Sequence, residues 1–378
     1  MSKLSYKTAC EFGSSLFDLY IKDSKDANTA ISPISVFVCM SMLKHGAGGQ
    51  TKAELEKALC IDAGSDGKEA ENIIGSLKKS ADQKFTLTTA NGLFLQLCFE
   101  PVPDFVQLLK SKFNAHVQTV EFGCKQGEKI VNDWVEKQTN GKIKDLVQNT
   151  TPDTVLALIN AVYLKGKWLR PFKPAKTDEL DFDVSKEKKV KAKFMRQEAR
   201  FDYVENKEEL FAMAFLPYES ESKNSAWEMG ILLPEKGSNP ADFLKFLQHD
   251  SLKSLRSKAN EQLLDLMLPK CKIESSIDLI PILKTLGVKE AFTMGANFSG
   301  ISGNEATMVS AILQKCFVDI DEEGTEAAAA TVVMMMRCAM MRTEEPTRFH
   351  VTSPYVYFMH QPSTGIVLFS GVVHDPSA

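Results

Sequence analysis

Two segments of this 378-residue chain read as strands, Gln314 to Ile320 and Tyr355 to Met359, and the stretch between them constrains the fold most. The four alanines Ala327–Ala330 favour helix by propensity, but no charge pairs at i, i+4 spacing support one there. The 34 residues between them, 321–354, make a long connection for a compact domain, which points to function. Read as extended chain, Thr325, Ala327, Ala329, Thr331, Val333 and Met335 share one face, and all are small or apolar. From Gly324 the only charge before Arg337 is Glu326, on the other face, and no proline occurs from Gly324 to Cys338. Such a segment can become a central strand without burying a charge or losing a ladder hydrogen bond.

The rest of the chain supplies the sheet and its cover. Phe12, Leu16 and Leu19 recur at helical spacing. Ser32-Pro33 is a hydroxyl cap followed by proline at the first helical position, and Val36, Met40 and Leu43 continue that helix up to Gly46. Thr51 with Glu54 reads as a capping box. A helix through Ile130 and Trp134 stops at Asn140-Gly141. Val155 to Leu164 reads as a strand buried on both faces, and Lys189 to Phe194 as a half-buried strand at a protected, lysine-bearing sheet edge. Leu263 to Leu268 reads as a strand, Ile280 to Leu286 as a helix, and Tyr355-Val-Tyr-Phe-Met followed by Gln-Pro-Ser-Thr-Gly and Ile366-Val-Leu-Phe as a buried hairpin. Helices and strands interleave without βαβ regularity, repeat or long linker. A single α+β domain over 1–378 follows.

Composition excludes several functions. A net charge of −4 gives no global drive toward nucleic acid or an anionic membrane. No run reaches the roughly 18 apolar residues of a membrane span, and the N-terminus lacks the apolar core of a secretory signal. The eight cysteines, Cys10, Cys39, Cys60, Cys98, Cys124, Cys271, Cys316 and Cys338, form no C-x-x-C and no Cys/His cluster, so free thiols are expected and no metal or cofactor. Asn149 and Asn297 open glycosylation sequons, relevant only on export. No Gly-x-Ser-x-Gly elbow or phosphate loop points to an enzyme.

Glu322-Glu323-Gly324-Thr325-Glu326-Ala327-Ala328-Ala329-Ala330-Thr331 resembles the proximal hinge of inhibitory serpins. Further motifs resemble the family in order along the chain: Asn28-Thr-Ala-Ile-Ser-Pro-Ile-Ser-Val, Asn91-Gly-Leu-Phe, Asn132-Asp-Trp-Val-Glu, Thr139-Asn-Gly-Lys-Ile, Asn160-Ala-Val-Tyr-Leu-Lys-Gly-Lys-Trp, Leu216-Pro-Tyr, Leu268-Pro-Lys, Leu286-Gly, Phe298-Ser-Gly-Ile and Ser353-Pro-Tyr. The short N-terminus, the missing signal and Arg-Cys in the loop are most similar to the intracellular, ovalbumin-type (clade B) branch. The resemblance implies three β-sheets, about nine helices and an exposed reactive-centre loop near 321–343. It implies a monomeric inhibitor, cytoplasmic or unconventionally exported, that traps a target serine protease covalently by acylation and loop insertion.

Residue roles implied by the resemblance follow by position. Gly324 is the flexible turn and Thr325 the first residue to enter the sheet. Glu322 pairs with Lys270 near Trp168 at the entry, the breach. Ser32, Ser35, Asn160 and Gln314 form the polar cluster under the sheet, the shutter, with Gln314 where the family usually has histidine; that puts pH control through this position in doubt. Chemistry favours cleavage after Arg337, a guanidinium suited to a trypsin-like pocket, giving the bond Arg337–Cys338. Family spacing from Glu322 gives Cys338–Ala339, and the Met340 to Arg342 region remains open. The alternatives are a non-inhibitory serpin acting as chaperone or binding protein, or an inhibitor of chymotrypsin-like or cysteine proteases.

Overall fold

The computed structural model describes residues 3–62, 68–80, 85–221, 226–303, 307–325 and 344–378. Its α-helices are α1 (Lys3–Ser24), α2 (Pro33–Gly46), α3 (Gly49–Ala58), α4 (Glu69–Ser80), α5 (Pro103–Leu108), α6 (Lys125–Gln138), α7 (His249–Lys258) and α8 (Ile280–Thr285). An eight-residue 3₁₀ helix, Pro240–Leu247, brings the long helical elements among the described residues to nine. The strands are β1 (Phe85–Gln96), β2 (His116–Val120), β3 (Leu156–Lys167), β4 (Thr177–Asp183), β5 (Lys189–Asn206), β6 (Phe211–Pro217) and β7 (Glu228–Pro234). They continue as β8 (Asn260–Pro269), β9 (Cys271–Asp278), β10 (Val309–Ile320), β11 (Gly324–Thr325), β12 (Thr347–His350), β13 (Tyr355–Gln361) and β14 (Ile366–Val373).

One sheet has six strands in the order β2-β1-β3-β11-β10-β9. Below β11, β3 and β10 pair directly and in parallel, from Val309↔Leu156 to Phe317↔Tyr163. The eight remaining strands form one hydrogen-bonded network, β12-β8-β5-β6-β7-β13-β14 with β4 on β5. Its two parts are joined by the 18-residue β5, which pairs β4 at its start and β6 at its end. That shared strand links the second and third expected sheets.

Strand β3 is buried on both faces, as its apolar run predicts. Leu156, Leu158, Val162 and Leu164 join the main core with α1, α2, β13 and β14, while Ala157, Ile159 and Ala161 join a second cluster. That second core lies between the sheet and α6 with its following segment, and includes Phe94, Val131, Val135, Ile143 and Val147. Alternate residues of one strand therefore belong to different cores, a direct result of the two-residue period.

Helix α2 is apolar all round and buried along nearly its whole length, as a central helix must be. It starts at Ser32-Pro33 as expected, but the Ser32 side chain makes no capping bond. Its hydroxyl donates to Leu368 O at 2.7 Å instead. The capping box at Thr51 and Glu54 is also corrected. α3 starts two residues before Thr51, whose hydroxyl accepts from Asn297 N, and Glu54 accepts from the Lys289 and Glu290 amides. Tertiary partners take both side chains away from the local motif. Nor is the lysine-rich start of β5 left as a bare edge: β4 covers it, and Lys191 and Lys189 pair with Asp181 and Asp183 at 2.8 and 3.2 Å.

Candidate functional site

The chain leaves β10 at Ile320 and turns at once. Asp321 Oδ1 accepts from the Glu323 and Gly324 amides, and Asp321 N donates to Gly324 O, closing a tight turn. Thr325 then lies antiparallel to Ile320 on one side and to Gly166 on the other. Gly324 and Thr325 thus sit as a two-residue wedge between β3 and β10. At Gly324 the backbones approach so closely that a Cβ would stand 1.9 Å from Gly166 O. Close approach, beyond flexibility, is why glycine is required there.

The wedge is gripped from several elements. Trp168 N donates to Glu323 O, Phe172 N to Glu322 O, and the Trp168 indole N–H to Asp321 O, each at 2.8–2.9 Å. Lys270 Nζ meets Glu322 Oε2 at 2.5 Å, and Thr177 Oγ1 donates to Glu322 Oε1 at 2.8 Å. The expected Glu322–Lys270 pair and the Trp168 contact are therefore formed together. Burial pushes the Glu322 carboxyl up, but the bonds from Lys270 and Thr177 outweigh it and hold the group below its ordinary value. Beneath the wedge, the Tyr218 hydroxyl bonds Thr325 Oγ1 at 2.7 Å, and its ring stacks on Trp168 with centroids 4.6 Å apart. Thr177 and Tyr218 were not singled out from sequence; Tyr218 lies in the Leu216-Pro-Tyr motif, which marks a position without giving a role.

Lower on the same seam lies the predicted polar cluster, fully assembled. Gln314 Nε2 donates to Ser32 O at 3.1 Å and to Asn160 Oδ1 at 2.5 Å, while Gln314 Oε1 accepts from Ser32 N at 3.0 Å. Asn160 Nδ2 donates to Ser35 Oγ and to Asn91 Oδ1, at 2.6 and 2.7 Å. Cys39 Sγ donates to Asn91 Oδ1 at 3.2 Å, and burial pushes that thiol up to about 12, keeping it a neutral donor. Asn91 and Cys39 extend the cluster beyond the residues read from sequence. Ser32, Ser35, Asn160 and Gln314 are all at most 2% exposed. The glutamine is well suited to this place: one carboxamide offers both a donor and an acceptor to the same Ser32 backbone, which a single imidazole edge does not.

A family model described as serpin (serine protease inhibitor) matches residues 7–376. The chain belongs to the serpin family. Human Serpin B8 is 33% identical over 374 residues, covering 97% of each chain. Bovine leukocyte elastase inhibitor is 33% identical over 379 residues, again with 97% of each chain covered. Among solved structures, a serpin of the insect Tenebrio molitor, Serpin48, superposes with a TM-score of 0.83 at 30% identity over 98% of each chain.

In this serpin Thr325 is the last described residue before 344 and sits in the six-stranded sheet; from Tyr163 and Phe317 downward β3 and β10 pair with each other. The hinge residues Glu326 to Thr331 and the candidate bond at Arg337, Cys338 or Ala339 lie outside the described residues. Glu344, where description resumes, pairs with Arg200 at 2.5 Å. Seven cysteines of the described residues are free thiols. Asn149 and Asn297 are both exposed. No helix of the described residues is long and apolar enough to cross a membrane.

Proposed function

We propose that this serpin is a suicide-substrate inhibitor of trypsin-like serine proteases. The observation that carries the reading is the wedge of Gly324 and Thr325 already seated between β3 and β10, aligned to lead the loop down their seam. The loop residues that would follow, through Met335, place no charge on the face that continues from Thr325. Serpin loop insertion is a known case of strand addition to a sheet. Its sequence here starts with the protease serine attacking the Arg337 carbonyl. The Arg337–Cys338 peptide bond breaks, the Cys338 amine leaves with a proton, and an ester joins Arg337 to the protease. Insertion of residues after Thr325 then carries the ester away before water cleaves it. Kinship with leukocyte elastase inhibitor supports a protease as partner, and Arg337 supports a trypsin-like one. The free thiols fit action in a reducing compartment.

The test is incubation with trypsin, followed by denaturing electrophoresis and mass spectrometry of the released C-terminal peptide. The reading predicts an SDS-stable complex and a peptide beginning at Cys338. A peptide beginning at Ala339 or later moves the bond; cleavage without any complex removes the inhibitory reading.

A further inference from the structure

From Thr154 to Thr177 the chain contains no acidic residue, yet it carries Lys165, Lys167, Arg170, Lys173 and Lys176. Most of its last part, 169–176, lies exposed beyond the end of β3, beside Glu322 and Glu323. Leu169 is 51% exposed, among the few large apolar side chains so placed. Pro171, Lys173, Pro174, Ala175 and Lys176 are exposed as well. Among the described residues no ion pair engages Lys173 or Lys176.

The strip is tied to both stems of the loop. Its Trp168 and Phe172 amides hold Glu323 and Glu322 of the proximal stem. Arg170 donates to Arg200 O at 2.6 Å, and Arg200 pairs with Glu344 of the distal stem. It is also firmly set: Phe172 is buried, two prolines fix backbone angles, and a 3₁₀ turn spans Pro174–Lys176. A rigid surface loses little freedom when a partner docks.

Resting on the inhibitory reading above, we infer that residues 169–176 form an accessory docking strip that steers proteases with an acidic rim around the active-site cleft onto the loop. Any protease engaging the loop approaches this pole, and unpaired surface cations act on encounter over roughly a Debye length, about 8 Å at physiological salt. Rim charges of this kind change association rate and salt dependence more than they change the complex once formed. The loop residue Arg337 then selects the cleavage chemistry, while the strip selects among proteases that share that chemistry.

The test compares anionic and cationic trypsin, which share primary specificity and differ in surface charge, against the wild type and the variant Lys173→Glu/Lys176→Glu. The expected wild-type result is faster association with anionic trypsin, by about tenfold at low salt, shrinking as salt is raised. In the double variant the preference collapses or inverts, with inhibition stoichiometry unchanged. A neutral variant, Lys173→Gln/Lys176→Gln, falls between. Equal rates for the two trypsins with wild type, or an anionic preference that survives charge reversal, overturns the strip. If the lysines serve the acidic hinge instead, charge reversal changes stoichiometry and thermal midpoint without changing the ratio of the two rates, which also overturns it. Failure of every variant and the wild type to form an SDS-stable complex refutes the inhibitory reading itself.

Discussion

At the upper end of the seam between β3 and β10, Gly324 and Thr325 hold the strands apart, and the grip on them is partly ionic through Glu322 and Lys270. At the lower end the same strands pair directly, and the groups beneath them are neutral: Gln314, Asn160, Asn91, Ser32, Ser35 and Cys39. The upper region is an entry held ready, sensitive to pH and charge. The lower one is a closure that titration near neutral pH does not reach. On the proposed mechanism insertion proceeds from the first to the second, so the two regions would control different steps. The closure also rests on parallel pairing, slightly weaker per residue than antiparallel, so its polar cluster has more to contribute.

The largest expected effect comes from breaking the entry. Thr325 is fully buried against the Tyr218 hydroxyl. In the variant Thr325→Arg a guanidinium must enter that buried place in exchange for a hydroxyl bonded to Tyr218, a penalty of several kcal/mol. Each ~1.4 kcal/mol on the insertion barrier slows it tenfold. Trapping should lose to deacylation, so the yield of SDS-stable complex falls by more than about tenfold while cleavage of the loop continues. Complex formation at the wild-type yield would show that Thr325 does not lead insertion.

The entry was largely legible in the chain, and its fine structure was not. The neutral alternation from Thr325 onward can be read because side-chain period and charge placement are local properties, but past Thr325 it falls outside the described residues. The Glu322–Lys270 pair and the four-residue cluster came from the family resemblance. Thr177 on Glu322 joins residues 145 apart, and Tyr218 on Thr325 joins residues 107 apart. No local pattern encodes such contacts. Thr51 and Ser32 show the converse: local capping signals were present, but Asn297 and Leu368 offered the hydroxyls better-placed partners. The hydrogen-bonded union of two sheets likewise depends on β5 running through both, which strand periodicity does not reveal.

The next effect is on the closure. Gln314→Leu keeps the volume but leaves Ser32 N, Ser32 O and Asn160 Oδ1 without that partner. Buried polar groups left unpaired cost about 1–3 kcal/mol each. Thermal unfolding should therefore start lower, and uncleaved protein should lose inhibitory capacity faster on warm storage, as the seam opens prematurely. An unchanged midpoint would remove the cluster from control of the seam.

The smallest effect, and the one that separates the regions best, is the pH response of the entry. Glu322 is held below the ordinary carboxylate value of about 4.3 by Lys270 and Thr177. Its contribution is therefore present above that value and is lost as pH falls through the lowered one. Glu322→Gln should reduce the midpoint at pH 7 by the equivalent of about 1–2 kcal/mol, and the gap to wild type should close in acid. A gap that stays constant all the way down the acid range in which the protein remains folded would assign the loss to packing.

The central claim is that the loop enters the seam between β3 and β10. Its most direct measurement is the thermal midpoint of the protein before and after a single cut within residues 332–342. Insertion would replace the parallel β3–β10 contact by a strand bonded on both sides, and the account predicts a rise of more than about ten degrees, beyond what a few kcal/mol gives a chain this size. A midpoint that stays the same or falls after cleavage would contradict it.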